Sequence, residues 1–134
     1  MNIVINGRKI TTDGNNVSVI DGKVIVDGKT VANAEDNEKI EIFGDINGNV
    51  ESDRNVVVRN GEIAGDVNAK GNIDCKNVRG SVKAGGNVNC DNVQQFVYAG
   101  GNVNCDDVGS NIDAGGKVNC DDVGGDITAT VVSR

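Results

Sequence analysis

The chain has no proline, no histidine and no tryptophan, and aromatic residues make up only 2% of its 134 residues. The absence of histidine removes the side chain that most often acts as a general acid–base or metal ligand at neutral pH. The shortage of aromatic side chains argues against an ordinary sandwich or helical bundle, whose layers need large residues between them. A core of Val, Ile, Ala and Cys suits a narrow β-structure instead.

Basic residues are also scarce, since 13 Lys and Arg stand against 20 Asp and Glu, and the formal net charge is −7. Direct binding of DNA or RNA needs a basic surface, so this charge argues against it. The acidity is compatible with a basic protein partner or with mimicry of a nucleic acid. The opening segment MNIVINGRKI has no long apolar run, so we expect no membrane span and a cytoplasmic protein.

What the sequence does contain is a repeat whose period is 15, with one cysteine in each copy. Apolar residues recur at its third, fifth, eighth, twelfth and fourteenth positions, and two pairs of these have the alternating spacing of strands. Stacked coils would bury these columns, which no single coil can do alone. The four gapless copies are 71–85, 86–100, 101–115 and 116–130.

The repeat continues backwards from residue 71, at first with the same period and then with a spacing of 17. The sequence therefore predicts an all-β protein, a single-stranded, three-sided β-solenoid of about six coils within residues 39–134. Glycine pairs would form the coil corners, where glycine accepts a positive φ without steric strain. These pairs are Gly85-Gly86, Gly100-Gly101 and Gly115-Gly116.

Residues 1–38 follow a different pattern. Asn6-Gly7, Asp21-Gly22 and Asp27-Gly28 each lie between β-branched residues, which is typical of two-residue hairpin turns. We expect hairpins over 2–11 and 17–26, followed by a polar linker over 32–39. Because the end of a solenoid exposes backbone edges, the hairpins are predicted to cap the first coil.

The stretch GDINGNVESDRNVVVRNGEIAGDVNAKGNI, residues 44–73, resembles the G-x-[IV]-x-G-x-[IV]-x-[AS] pattern of the bactofilins, a family of polymer-forming bacterial cytoskeletal proteins. The resemblance covers about two coils and fades in the cysteine-containing ones. It implies a right-handed, three-sided β-helix that polymerises end to end without a nucleotide.

The four cysteines would stack in one inward column. As metal ligands they lack local C-x-x-C pairs and tetrahedral convergence, and as disulfides they would have unfavourable parallel Cβ vectors. We expect them to pack as small apolar side chains, a core ladder of free thiols that implies a reducing compartment. The ladder comprises Cys75, Cys90, Cys105 and Cys120.

Polar residues form further columns. The sixth and seventh positions give an acidic face, interpreted as a solvated corner because Asp favours turns, with a cation site or a phosphate mimic as the alternative. Its members are Asp91, Asp106, Asp107, Asp121 and Asp122. Asparagine columns beside the cysteines are expected to stack through their amides. They contain Asn72, Asn87 and Asn102, and then Asn89, Asn104 and Asn119.

Phe96 and Tyr98 occupy outward positions where neighbouring coils have polar residues. Aromatic residues are enriched at protein interfaces, so the sequence predicts an interaction site here that also includes Lys83 and Asp113. The alternative is that one ring folds over the N-terminal hairpins.

No catalytic constellation, phosphate-binding loop or metal motif is present, so we expect a non-enzymatic protein without a cofactor. One hypothesis is a self-associating scaffold that forms a two-fold dimer through its C-terminal coil, 116–130, strengthened by salt. The other is a protein-binding module, or a phage-type inhibitor, that presents the acidic face and the two aromatic residues to a basic protein.

Overall fold

The computed structural model describes residues 2–5, 7–12, 14–33 and 40–133. The regular secondary structure of these residues consists of β-strands. Parallel strands about 15 residues apart stack into a β-solenoid of about six coils, so the predicted fold class is confirmed. Five strands precede the coils. They are β1 (Asn2–Ile5), β2 (Arg8–Thr11), β3 (Val17–Ile20), β4 (Lys23–Val26) and β5 (Lys29–Asn33).

The coils present three faces, each a ladder of parallel strands. Face one contains β6 (Ile40–Phe43), β8 (Val56–Arg59), β11 (Ile73–Asp74), β14 (Val88–Asn89), the first halves of β17 (Val103–Val108) and β19 (Lys117–Val123), and β21 (Val131–Ser133). Face two contains β9 (Glu62–Ile63), β12 (Asn77–Val78), β15 (Asn92–Val93) and the second halves of β17 and β19. Face three contains β7 (Val50–Ser52), β10 (Val67–Ala69), β13 (Val82–Ala84), β16 (Val97–Ala99), β18 (Ile112–Ala114) and β20 (Ile127–Thr128).

On faces two and three the register of the coil strands repeats with the spacings that the sequence predicts. On face three Val67 lies beside Val82, at a spacing of 15, whereas Val50 lies beside Val67, at a spacing of 17. On face two an isolated bridge joins Ile46 to Ile63, again at the longer spacing. The longer early coils therefore stack on the shorter later ones without a change of face.

The core is one continuous column that runs through the coils. In the coil of residues 86–100, the five predicted inward side chains are each at most 3% exposed: Val88, Cys90, Val93, Val97 and Ala99. Each fully buried Val contributes about 1.5–3 kcal/mol relative to an exposed one. Slim side chains suffice because the three faces of a coil lie close together.

The corner glycines have a different physical role from the predicted one. None of the six has a positive φ, so the prediction that these corners need a left-handed backbone is wrong. A Cβ atom on Gly100 would lie 2.3 Å from the carbonyl oxygen of Gly85, and one on Gly101 would lie 2.3 Å from Oδ1 of Asn87. Glycine is required because successive coils approach too closely at the corner for any side chain.

The first asparagine column bonds to backbone and not to neighbouring amides. The backbone N–H of Asn102 donates to Oδ1 of Asn87 at 2.8 Å, and the N–H of Asn87 donates to Oδ1 of Asn72 at the same distance. Each side chain thus bonds the coil above it. Direct amide–amide bonding occurs on face two, where Nδ2 of Asn92 donates to Oδ1 of Asn77 at 3.2 Å.

The N-terminal strands extend two faces of the solenoid. β1 pairs with β2 and with β6, both antiparallel, while β3 pairs in parallel with β7 and carries β4 and β5 as further antiparallel strands.

Two of the three predicted hairpin turns are described in full. Asp21-Gly22 and Asp27-Gly28 all have positive φ, between 50° and 82°, as type I′ turns require. In the remaining turn Gly7 also has a positive φ, and Asn6 lies outside the described residues. Of the predicted linker, 32–33 belong to β5, and 34–39 lie outside the described residues.

Candidate interaction surfaces

The four cysteines lie in the core, where each is a free and buried thiol. Cys105 pairs in register with Cys120, and the Sγ atoms of Cys75 and Cys90 lie 2.8 Å apart. Such a ladder arises because the fifth position of each coil points inward on the same side. Its members contact one another and the apolar columns beside them, which is the arrangement of a packing element.

The surroundings of Cys90, Cys105 and Cys120 raise the pKa of each thiol and keep it protonated. A hydrogen bond with Cys120 lowers the pKa of Cys105. A hydrogen bond with Cys90 and burial of the thiol raise it by more, so that the pKa is about 12. The pKa of Cys120 is raised by its bond with Cys105 and by burial. A thiol becomes a nucleophile or a metal ligand only as the thiolate, so neither side chain is suited to either role at neutral pH.

The aromatic pair lies on the outer side of face three. Phe96 is 49% exposed and Tyr98 is 44% exposed, and β16, which carries Tyr98, is separated from β3 by three strands. The rings therefore lie about 19 Å along the solenoid from the N-terminal hairpins, so the alternative that one ring folds over the hairpins is wrong. Nζ of Lys83 lies 5.8 Å from the centre of the Tyr98 ring.

Asp113 completes this patch, because it pairs in register with Tyr98 on the opposite side from Lys83. One row of face three therefore presents a cation, an aromatic ring and a carboxylate in successive coils. A ring whose face is already near a lysine, beside a carboxylate, offers a partner both apolar area and a charge to pair with. All four residues predicted for this site lie together.

The acidic residues line the corner between faces one and two. Asp107 and Asp122 pair in register. Both side chains are exposed, and so are those of Asp106 and Asp121. Asp91 lies nearer the middle of the solenoid, with Nζ of Lys76 at 4.0 Å. The corner itself is held by backbone bonds, such as that from the N–H of Asp106 to the carbonyl of Asp91 at 2.8 Å. Solvated carboxylates account for this arrangement.

The last coil leaves three of its five inner positions partly exposed, whereas Val118 and Cys120 stay buried. Val108, Ile112 and Ala114 are at most 5% exposed, whereas their equivalents one coil later are only partly buried. Those equivalents are Val123, Ile127 and Ala129. Beyond them, β21 covers face one alone, and its Val131 and Val132 are 47% and 45% exposed.

Within residues 2–5, 7–12, 14–33 and 40–133, no three Cys, Asp or Glu side chains are grouped so that they could hold a metal ion. The same residues include no helix that is long and apolar enough to cross a membrane. A polar groove beside faces one and two is lined by Arg59, Asn60, Asp74, Lys76 and Asp91 among others.

No protein-family model, curated protein or solved structure matches the chain. The class of protein is accordingly given by the fold alone, a β-solenoid repeat protein.

Proposed function

We propose that this chain is a non-enzymatic structural protein that associates with other copies of itself through its C-terminal coil. The observation that carries the proposal is that the inner positions Val123 and Ile127 of that coil, and Val132 just beyond it, are partly accessible to water. Removing this apolar surface from water is favourable by roughly 25 cal/mol per Å². The likeness of residues 44–73 to bactofilins points to the same kind of activity.

Backbone groups at this end support the same function. The N–H of Val88 donates to the carbonyl of Asn102 one coil later, and Val132 occupies the equivalent position in β21. Its N–H therefore points toward the layer that a second molecule would supply. Unpaired strand edges readily accept another strand.

The free thiols favour a reducing compartment, so we propose that this assembly is cytoplasmic.

Self-association is expected to appear as a molar mass that rises with protein concentration in light scattering. The paired substitution Val131→Asn/Val132→Asn should weaken it by about tenfold or more, because it replaces two apolar side chains that are 47% and 45% exposed with polar ones. Phe96→Ala/Tyr98→Ala, which removes exposed aromatic side chains away from the C-terminal coil, is the matched control and should have no effect. A strict monomer at high concentration, at both low and high salt, would refute the proposal.

A second candidate function is binding of a basic protein at the aromatic patch, as a binding module or inhibitor. It is favoured by the half-exposed Phe96 and Tyr98 beside Asp113, a combination suited to an arginine side chain. A pull-down from the native host should then recover a basic protein with the unaltered chain and with Val131→Asn/Val132→Asn, but not with Phe96→Ala/Tyr98→Ala. Equal recovery by all three proteins would contradict this function.

A further inference from the structure

The two ends of the solenoid have complementary steps. At the N-terminal end, three strands (β3, β4 and β5) extend face three beyond the first coil, and two strands (β1 and β2) extend face one. At the C-terminal end the order is reversed, since β21 adds one strand to face one and no described strand follows β20 on face three. Faces one and three consequently contain nine described strands each.

Strand directions at the two ends also match. β2 is antiparallel to β1, and β1 is antiparallel to β6, so β2 runs in the same direction as the coil strands of face one. Two reversals through β4 likewise give β5 the direction of the strands of face three. If one molecule stacked on the next along the solenoid axis, β21 would meet β2 and β20 would meet β5. Both junctions would be parallel ladders like those inside the molecule.

The charges of the two ends are opposite in sign. The edge strands β2 and β5 contain Arg8, Lys9 and Lys29 and no acidic residue. The last coil contains Asp121, Asp122 and Asp126 against the single basic residue Lys117. Unlike charges steer two ends together and fix their orientation more than they add affinity.

We infer that the partner of the C-terminal coil is the pair of edge strands β2 and β5 of a second copy of this chain, so that assembly is head to tail. The inference rests on the proposed self-association and specifies its geometry. Because each molecule then retains one free end of each kind, the assembly continues as a polar filament and does not close as a dimer. Nine layers at about 4.8 Å give an axial repeat of roughly 43 Å per molecule.

The two-fold dimer predicted from sequence would join two C-terminal coils. Its junction strands would run antiparallel, because a two-fold axis perpendicular to the solenoid axis makes the two facing coils circulate in opposite directions. It would also bring the carboxylates of Asp121, Asp122 and Asp126 toward their own copies. The two geometries therefore respond to salt in opposite directions, since screening strengthens contact between like charges and weakens contact between unlike ones.

Mixing two variants that are each blocked at one end tests the geometry. Proline at Val132 removes an N–H that points out of the C-terminal end, and proline at Lys9 interrupts the edge strand β2. Head-to-tail assembly predicts that each variant alone is a monomer and that an equimolar mixture forms a heterodimer of twice the 13.9 kDa chain mass. Analytical ultracentrifugation with one variant labelled distinguishes these species. If Lys9→Pro alone still dimerises and the mixture forms no heterodimer, the head-to-tail geometry is overturned.

Charge reversal provides a second test that does not interrupt a strand. Lys9→Glu/Lys29→Glu should weaken assembly about tenfold at low salt, and the addition of Asp122→Lys/Asp126→Lys to the same chain should restore it. The two-fold dimer predicts no effect of the N-terminal pair. A monomeric unaltered chain would refute self-association itself, whereas association that is indifferent to the N-terminal pair would refute only the head-to-tail geometry.

Discussion

Replacing Cys105 with aspartate is expected to lower the free energy of unfolding by about 3–5 kcal/mol, because an unpaired charge would enter the core. The side chain is 4% exposed and its neighbours in the ladder, Cys90 and Cys120, provide no cation. Small domains have only about 5–15 kcal/mol of total stability, so a loss of this size would remove much of it. The midpoint of urea unfolding measures the change.

The matched control is Asn104→Asp, which introduces the same side chain one residue earlier on β17. Asn104 is exposed on the outer side of face one, so its replacement should change stability by no more than about 0.5 kcal/mol. Cys105→Ala, which leaves only a small cavity, should fall between the two. Equal unfolding midpoints for the two aspartate variants would show that the fifth position of the coil does not point inward.

The sequence could predict the columns of the fold because each is set by a local periodic pattern. A valine and a cysteine at alternate positions must lie on the same side of a strand, and a constant period places their equivalents directly above them. The same argument placed Phe96 and Tyr98 on the outside, since they flank Val97 and alternate with the inward positions of Val97 and Ala99. Burial of Val97 and exposure of both rings follow from this alternation.

Features that depend on distances between coils could not be predicted in this way. A glycine pair in a sequence is compatible with a positive φ or with a close approach, and only the position of Asn87 relative to Gly101 decides between them. The attachment of the hairpins also depends on contacts between distant parts of the chain. Nothing local in 2–11 or 17–26 indicates that one hairpin extends face one and the other face three. The matching steps at the two ends arise from that attachment.

The corner contact between Gly101 and Asn87 predicts a rescue between two destabilising substitutions. Gly101→Ala should lower the free energy of unfolding by about 2–3 kcal/mol, because its Cβ would lie 2.3 Å from Oδ1 of Asn87. Asn87→Ala should lower it by about 1 kcal/mol, since the N–H of Asn102 loses its partner at an exposed corner.

The double variant Asn87→Ala/Gly101→Ala should be more stable than Gly101→Ala alone. With the Asn87 side chain gone, the nearest atoms to the new Cβ are those of the Gly86 carbonyl group at 3.3 Å, a tight contact that a small shift relieves. The expected interaction energy is about 1–2 kcal/mol in the double-mutant cycle, measured by urea unfolding.

Gly100→Ala provides the control for this cycle, because its Cβ would lie 2.3 Å from the backbone oxygen of Gly85. No side-chain deletion relieves a clash with backbone, so Asn87→Ala should add its own loss to that of Gly100→Ala without any rescue. If the two double variants showed the same interaction energy, the glycines would be required for their backbone conformation. A rescue confined to Gly101 would establish that the asparagine column occupies the space that dictates glycine in the coil above.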